Sequence, residues 1–228
     1  MLQLTWLDPN TPKFPNTQTA LAEPNGLLAA GGQLSPEWLL KAYSQGIFPW
    51  FNEGEPILWW SPSPRTFLFI DQLHISRSLQ KAIRKSTFTI SFDRAFEEVM
   101  LACSEPRGEE PGTWISEEMI EAYTHLHQLG HAHSIEVWED NTLVGGLYGI
   151  AQGRMFFGES MFSRRSNSSK IALFHLVEQL KQWHYVGIDC QVHNNHLASL
   201  GAKEISRQAF EMLIKQHVTG VNCHWGIE

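Results

Sequence analysis

Length and composition place this chain among globular proteins that bury a sizeable core. It has 228 residues, 43% of them hydrophobic, and a net charge of -7, which suits one large domain or a large and a small one. No apolar run is long enough to span a membrane, and the N-terminus lacks the basic and apolar regions of a signal peptide. We therefore expect neither a membrane-spanning nor a secreted protein. The acidic balance argues against a chain coated in nucleic acid but leaves a local basic patch open.

The N-terminal third predicts a small unit of its own. Residues 1–34 are rich in Pro, Asn and Gly, so we expect turns and little regular structure there. A helix should begin after Ser35, with Pro36 at its first position, and end at Gly46. The aromatic residues around Trp50 are more often core than a binding surface. The proline-rich stretch 62–64 suggests a boundary between a small domain, 1–63, and a larger one, 64–228.

Residues 65–92 predict a strand, a helix and a strand. Within the helix, four cations are spaced so that they share one face, with Leu79 and Ile83 on another. Such a stripe is usually only a solvated surface. In an acidic protein, this density of cations also suits contacts with phosphates. The four cations are Arg77, Lys81, Arg84 and Lys85.

The central part of the chain predicts helices followed by a meander of strands. Asp93 is a candidate cap for the next helix, and a second helix should run from Ser116 to Gly130. Alternating strands then begin near His133. An apolar helix with a period of three to four residues separates the last of these strands from the short strand VGIDCQV. A crossover of that kind joins parallel neighbours, so the ends of both strands should lie side by side.

Three polar residues fall at these strand ends. Asp189 and Gln191 are two apart in an extended segment, so both side chains should leave one face of the sheet. A structural hydrogen-bonded pair is the simpler interpretation. Glu159, at the end of the facing strand, favours a site instead, because two carboxylates and an amide would converge on one cleft.

Metal ligands are weakly represented. Cys103, Cys190 and Cys223 are odd in number and lack close pairing, which predicts a reducing compartment and no zinc site. His193 and His196 flank two asparagines, but no third ligand is nearby, so we predict no metal. Two further histidines are interpreted as structural: His131 and His133.

A meander, a crossover helix and a final strand resemble the acyl-CoA N-acyltransferase (GNAT) fold, an α/β (α+β) architecture with a mixed sheet. Members of that fold cradle the CoA pyrophosphate in a glycine-rich loop before the crossover helix. The corresponding segment here, SRRSNSSK, contains no glycine. CoA is therefore disfavoured as the donor.

Longer motifs give a more specific resemblance. They occur in one order between residues 23 and 205: EPNGLLAAGG, GIFPWF, ILWWSPSPR, HISRS, TWI, LGHAHSIEVWED, GGLYG, GESMFSR, IDCQV and HLASLGA. Together they resemble the leucyl/phenylalanyl-tRNA-protein transferase family, which is bacterial and cytoplasmic. The resemblance implies transfer of Leu or Phe, and less well Met, from aminoacyl-tRNA to an N-terminal Arg or Lys of a protein, which marks that protein for proteolysis.

The resemblance also implies roles for individual residues. The catalytic positions fall on Glu159, Asp189 and Gln191, and the basic cluster that binds tRNA matches the four cations of the predicted helix. Leu147 stands where relatives often carry Met, a nearly volume-conserving change. The residues implied for the pocket that holds the donor side chain are Trp50, Trp114, Leu147 and Phe156.

The implied chemistry needs no cofactor, because the donor is already an activated ester. We expect Gln191, oriented by Asp189, to hydrogen-bond the attacking amine, and Asp189 to assist proton removal directly or through water. Glu159 should hold the amine or the cationic acceptor side chain. The alternative is that these groups only bind and that a tRNA ribose hydroxyl shuttles the proton. Two other functions stay open: a peptidoglycan cross-bridge aminoacyltransferase and a noncatalytic tRNA- or peptide-binding module. We expect a monomer without a membrane partner.

Overall fold

The computed structural model describes residues 4–106, 114–221 and 225 of the chain. Cys223 lies outside the described residues. In chain order the first elements are β1 (Thr5–Leu7), β2 (Leu27–Gly31), α1 (Pro36–Tyr43), β3 (Phe48–Pro49) and β4 (Leu58–Trp60). These strands form a four-stranded sheet in the order β1-β2-β4-β3. Residues 1–34 thus contain two strands, and the prediction of little regular structure there was wrong, because short strands without alternation leave no periodic signal.

The rest of the chain forms a seven-stranded mixed sheet with helices on both faces. Its order is β11-β5-β10-β9-β8-β7-β6, and only the neighbours β9 and β10 are parallel. The predicted α/β mixed sheet and the predicted parallel crossover are therefore confirmed. The elements are β5 (Arg65–Phe69), α2 (Arg77–Lys85), β6 (Thr89–Phe92), α3 (Phe96–Ser104), α4 (Glu117–Gln128), β7 (Ala132–Glu139), β8 (Thr142–Gln152), β9 (Met155–Ser163), α5 (Ser168–Gln182), β10 (Gly187–Gln191), α6 (Asn195–Ser199), β11 (Lys203–Ile205) and α7 (Arg207–His217).

Two hydrophobic clusters cover the two faces of this sheet. One face packs against α5, whose buried side chains include Leu173 and Leu176. The other face packs against α3 and α4, and its cluster also contains Trp38 and Tyr43 of α1. The core on that side is therefore shared by the small sheet's helix and the large sheet. This sharing brings α1 close to the centre of the large sheet.

Helix α5 sits unusually close to β8 at its first turn. A Cβ on Gly145 would lie 2.3 Å from Ser168 Oγ, which no real side chain allows. The Ser168 hydroxyl donates to the backbone oxygen of Val144 at 2.9 Å. The absence of a side chain at position 145 thus lets the helix lie against the sheet, where Leu173 and Leu176 reach the space between β9 and β10.

One predicted cap was wrong. The residue before α3 is Ala95, which provides no side-chain cap. Asp93 instead has a φ of 58° and turns its carboxylate to Ser134 N–H at 2.9 Å and His133 Nδ1 at 2.9 Å. Ser116 does cap α4 as predicted, by accepting from Met119 N–H at 3.3 Å. No helix among the described residues is both long and apolar enough to cross a membrane.

Candidate active site

A wedge opens where β9 and β10 separate. The two strands pair only from Met155 with Gly187 to Phe157 with Asp189, although β9 continues along β8 to Ser163. Past this point β10 stays paired only with β5, which it follows from Gly187 to Gln191 with a shift in register between Asp189 and Gln191. The wedge is the centre of a cavity of about 770 Å³.

One side of this cavity is apolar. Leu147 and Phe156 are buried at 3% and 0% exposure, whereas Trp50 is 45% exposed. Trp114 lies at the start of the segment that leads into α4. All four line the cavity, so the structure brings together the residues predicted to hold the donor side chain. We call this set, Trp50, Trp114, Leu147 and Phe156, the apolar wall.

Glu159, a carboxylate with three hydrogen-bond donors, also lines the cavity. Glu159 Oε1 accepts from the Tyr43 hydroxyl at 2.8 Å and from Gln191 Nε2 at 2.8 Å. Its Oε2 accepts from the Tyr123 hydroxyl at 3.3 Å. The two tyrosine hydroxyls also hydrogen-bond each other. We call Tyr43, Tyr123, Glu159 and Gln191 the polar corner: Glu159 and Gln191 line the cavity, and the two fully buried tyrosines bond to Glu159.

Burial sets the protonation of the polar corner. Burial, assisted by the charge of Asp189, raises the pKa of Glu159 from 4.5 to about 7, even though hydrogen bonds from Tyr43, Tyr123 and Gln191 act to lower it. Burial, followed by the charge of Glu159, also raises the pKa of Tyr43 and that of Tyr123 well above 10. The tyrosines therefore remain donors at neutral pH, and Glu159 can gain or lose a proton there.

Of the two polar residues in β10, Gln191 lines the cavity and Asp189 lies behind it. Asp189 is 0% exposed, and its carboxylate accepts from Arg65 Nε at 2.8 Å and Arg65 Nη2 at 2.6 Å. Asp189 Oδ1 also accepts from the backbone N–H of Gln191 at 3.0 Å. A direct contact between Asp189 and an amine is disfavoured, because Asp189 is fully buried, does not line the cavity and is paired with Arg65. Asp189 supports the residue that faces the cavity.

The four cations predicted to share a helix face do so on α2. Arg77, Lys81, Arg84 and Lys85 are all exposed, while Leu79 of the same helix is 5% exposed and belongs to the core on the α5 side. None of the four lines the cavity. A contact with tRNA at this face stays a prediction.

The two histidines after β10 differ in their positions relative to the cavity. His193 is exposed, and its Nε2 lies 3.2 Å from Asn195 Oδ1, whereas His196 lines the cavity. Burial, followed by the charge of Lys170, lowers the pKa of His196. A neutral imidazole at the cavity edge is therefore expected at pH 7.

One group of potential metal ligands occurs within the described ranges, formed by Asp93, His127 and His133. Its atoms already pair with protein groups. His133 Nδ1 lies 2.9 Å from Asp93 Oδ2, and His127 Nδ1 lies 2.8 Å from Ala132 O. His133 is 4% exposed, which fits the structural interpretation of this residue. The prediction that no metal is needed is not tested by this arrangement.

Comparison with known proteins identifies the family. A model described as "Leucyl/phenylalanyl-tRNA protein transferase" matches residues 67–215, and the model of the N-terminal domain of that transferase matches residues 32–63. The chain belongs to the leucyl/phenylalanyl-tRNA protein transferase family.

Relatives named leucyl/phenylalanyl-tRNA–protein transferase are similar to this chain over most of both lengths. The protein of Cellvibrio japonicus is 57% identical over 211 residues, 92% of this chain and 90% of the relative. That of Pseudomonas fluorescens strain Pf-5 is 58% identical, with 94% and 95% covered. That of Hydrogenovibrio crunogenus is 59% identical, with 92% and 83% covered. The recognition of the family from its motifs is therefore confirmed.

Solved structures of lower similarity include acetyltransferases. A predicted acetyltransferase from Clostridium acetobutylicum gives a TM-score of 0.37 at 12% identity, covering 48% of this chain and 83% of that one. L-PGS from Bacillus licheniformis gives 0.40 at 13% identity, covering 71% and 52%. Scores this low carry no argument. The GNAT-like description of this family member stands on its own strand order, with a crossover helix between strands that separate at a wedge.

Three residues around this site were not predicted from the sequence. Tyr43 and Tyr123 lie on apolar helix faces, where an aromatic residue is normally core. A buried tyrosine hydroxyl nevertheless needs a partner, and that requirement was the available signal. Arg65 follows a proline-rich stretch, and nothing local distinguishes it from a surface arginine.

Proposed function

We propose that this protein transfers Leu or Phe, and less well Met, from aminoacyl-tRNA to the N-terminal Arg or Lys of other proteins. Membership of the family supports the reaction. The observation that carries the proposal is the single cavity in which an apolar wall meets the polar corner. The apolar wall suits the hydrophobic side chain of the donor amino acid, and the polar corner suits the cationic acceptor residue.

The apolar wall provides selection of the donor. Burying a charged or unpaired polar side chain against it is costly, whereas Leu, Phe and Met gain from leaving water. Discrimination among these three is weaker, since about 1 to 3 kcal/mol is available per methylene in an apolar pocket. The cavity therefore suits a small group of apolar donors.

The polar corner provides selection and activation of the acceptor. A carboxylate beside the wedge pairs well with a guanidinium or ammonium group, and charge-assisted hydrogen bonds are stronger than neutral ones. Gln191 Nε2 donates to Glu159, so the amide oxygen is directed to accept from the attacking amine. Glu159, with a pKa of about 7, is matched to take the proton that the amine releases.

The reaction balances without a cofactor. The neutral α-amine attacks the ester carbonyl carbon, a C–N bond forms, and the bond from that carbon to the tRNA ribose oxygen breaks. The ammonium proton passes to Glu159 directly or through water, the departing ribose oxygen takes a proton from solvent, and Glu159 returns its proton to solvent after the transfer. With an α-amino pKa of about 8 and a pH of about 7, deprotonation costs only about 1.4 kcal/mol. Alignment of two large substrates supplies roughly 7 to 11 kcal/mol, so positioning dominates.

Several further assignments belong to the same proposal. Arg77, Lys81, Arg84 and Lys85 on α2 contact tRNA phosphates, since exposed cations on one face attract a polyanion in a protein of net charge -7. The chain works as a cytoplasmic monomer in two domains, 1–63 and 64–228, and its products are directed to proteolysis.

A reconstituted assay tests the proposal. Purified protein is mixed with labelled Leu-tRNA and a peptide that begins with Arg, and label in the peptide is measured. Matched control peptides begin with Gly or carry an acetylated Arg, which lacks the nucleophilic amine. Transfer to the free Arg peptide alone is the expected result.

Each other outcome identifies a different function. Binding of Leu-tRNA without transfer to any acceptor would indicate the noncatalytic module. Transfer to a lysine side chain of a peptidoglycan stem peptide, and not to an N-terminal Arg, would indicate the cross-bridge enzyme. Equal transfer to Gly and Arg peptides would mean that Glu159 does not select the acceptor residue.

A further inference from the structure

Arg65 occupies an unusual environment behind the cavity. It is the first residue of β5 and is 0% exposed. Its guanidinium carbon lies 4.8 Å from the ring centroid of Phe48 and 4.6 Å from that of Phe210. These rings belong to β3 and α7. Arg65 thus joins the small sheet, the large sheet and the last helix at one point.

From this point a chain of contacts leads to the cavity. Arg65 donates to both carboxylate oxygens of Asp189, from Nε to Oδ1 at 2.8 Å and from Nη2 to Oδ2 at 2.6 Å. Asp189 Oδ1 accepts from Gln191 N–H at 3.0 Å, and Gln191 Nε2 donates to Glu159 at 2.8 Å. Each link has a defined donor and acceptor. A change at Arg65 is therefore transmitted to Glu159 through two residues.

Gln191 needs such support because its backbone is strained. Its φ is 62°, in the left-handed region that favours glycine, and it follows a shift in strand register. A non-glycine residue in this conformation persists when its surroundings hold it there. The Asp189 carboxylate supplies a bond to its N–H. An Asp189 free to rotate would not keep that bond.

We infer that Arg65 is a positioning residue for the transfer reaction: it fixes Asp189, which holds the Gln191 backbone so that the amide reaches Glu159 and the amine. The inference rests on the proposed function. Arg65 also offsets the negative charge of Asp189 close to Glu159. Arg65 is fully buried and does not line the cavity, so it acts through Asp189 and Gln191.

Stability alone does not account for this pair. Arg65 Nη1 is buried without a hydrogen-bond partner among the described residues, so the guanidinium is incompletely satisfied. Buried ion pairs of this kind are often replaceable by apolar residues of similar volume without loss of stability. If the pair served only stability, replacing both residues by apolar ones would leave activity unchanged. If the pair serves positioning, the same replacement lowers activity.

The charged and titratable groups around the polar corner come from five elements. Their charges act on Glu159 together with the charge at position 65. They are Tyr43 on α1, Arg65 on β5, Tyr123 on α4, Asp189 and Cys190 on β10, and Arg207 on α7. Among them Arg65 is the cation bonded to Asp189. Its removal leaves the Asp189 charge to act on Glu159 without compensation.

The double variant Arg65→Met with Asp189→Leu gives the decisive test. It removes both charges together, so the thermal midpoint should stay close to that of the wild type. The single-turnover rate at saturating Leu-tRNA and Arg peptide should fall at least about tenfold, with both KM values within about twofold. Wild-type rates in a folded double variant would overturn the inference.

Single variants separate charge from packing. In Arg65→Met the acid limb of the pH–rate profile should move to higher pH, because an unpaired Asp189 charge favours protonated Glu159. Arg65→Lys should return the limb to its wild-type position and recover part of the rate. Arg207→Met is the matched control: Arg207 Nη2 donates to Ser61 O at 2.6 Å, whereas the Asp189 carboxylate accepts from Arg65 and Gln191, so the limb should not move. A limb that stays fixed in Arg65→Met, with a rate that follows the folded fraction, would contradict the inference.

A measurement that needs no transfer keeps this inference distinct from the proposed function. Hydrogen exchange at the Gln191 backbone N–H should be at least about tenfold faster in the double variant than in the wild type or in Arg207→Met. If the wild type transfers nothing but this difference is found, the proposed function fails and the positioning role of Arg65 stands. Equal exchange in all three proteins would overturn the positioning role whether or not transfer occurs.

Discussion

The apolar wall and the polar corner face the same cavity but are held in place by different interactions. The side chains of the wall, such as Leu147 and Phe156, are positioned by packing against many neighbours in the core. The corner depends on single hydrogen bonds, such as those from Tyr43 and Gln191 to Glu159. Packing tolerates substitutions that conserve volume, whereas a lost partner leaves a buried group unsatisfied. Changes in the corner should therefore alter rates strongly, and changes in the wall should alter preferences mildly.

The largest effect is expected for Glu159→Gln. The amide cannot take the proton of the attacking amine, so the single-turnover rate should fall about 100-fold at neutral pH. In the wild type the base form of Glu159 is required, so the rate should rise with pH through about 7. The variant should lose this limb and keep only the rise near about pH 8 that comes from deprotonation of the amine. Rates measured from about pH 6 to about pH 9 give the comparison.

Folding stability provides a control for that variant. Folded Glu159 binds its proton more tightly than the unfolded chain does, with a pKa of about 7 against 4.5. Stability of the wild type should therefore fall as pH rises through this window, by at most about 3 kcal/mol. The free energy of unfolding of Glu159→Gln should lack this fall. If both proteins show the same pH dependence, Glu159 is not the buried acid described above.

Removing one tyrosine hydroxyl should have an intermediate effect. Tyr43→Phe deletes the donor at 2.8 Å and Tyr123→Phe the donor at 3.3 Å. Both hydrogen bonds stabilise the charged form of Glu159, so each variant should move the acid limb to higher pH. The rate at pH 7 should fall about tenfold for Tyr43→Phe and less for Tyr123→Phe. A larger effect at Tyr123, or no movement of the limb in either variant, would contradict this account of the corner.

The exposed face of α2 lies outside the cavity, so its substitution should change tRNA binding without changing either the apolar wall or the polar corner. The pair Lys81→Gln and Arg84→Gln should raise the KM for aminoacyl-tRNA about fivefold and lower the salt dependence of binding by about one phosphate contact for each charge removed. The KM for the peptide should not change. Lys215→Gln on α7, also exposed, is the matched control. An equal loss in the control would assign the effect to net charge instead of this face.

Particular residues explain how much of this was predictable from the sequence. The period of α5 is a consequence of burial on one face of the helix, so the parallel crossover between β9 and β10 could be predicted, although β7 and β8 are buried on both faces. Glu159 and Gln191 were placed correctly beside one cleft by the same reasoning. Tyr43 could not be assigned, because it reaches Glu159 only after the small sheet's helix packs on the large sheet.

Two further features lay beyond local patterns. The bulge at Gln191 depends on tertiary contacts with Asp189 and β5, and alternation alone does not reveal it. Arg65 is separated from Asp189 by 124 positions, so no spacing rule joins them. The sequence therefore predicted which residues meet the cavity from adjacent strands, and it missed those that depend on contacts between distant segments.

The smallest effect is expected for Leu147→Met, which tests the wall. The substitution nearly conserves volume, so stability should change by less than about 1.5 kcal/mol. The ratio of transfer rates from Leu-, Phe- and Met-tRNA should change by less than about threefold, since apolar contacts distinguish such side chains weakly. Competition assays with two labelled donors measure the ratio directly, and Leu147→Ala, which opens a cavity at a residue only 3% exposed, is the contrasting variant. A change of more than about tenfold in Leu147→Met would mean that the wall discriminates by exact shape. The distinction between a tolerant wall and a demanding corner would then be lost.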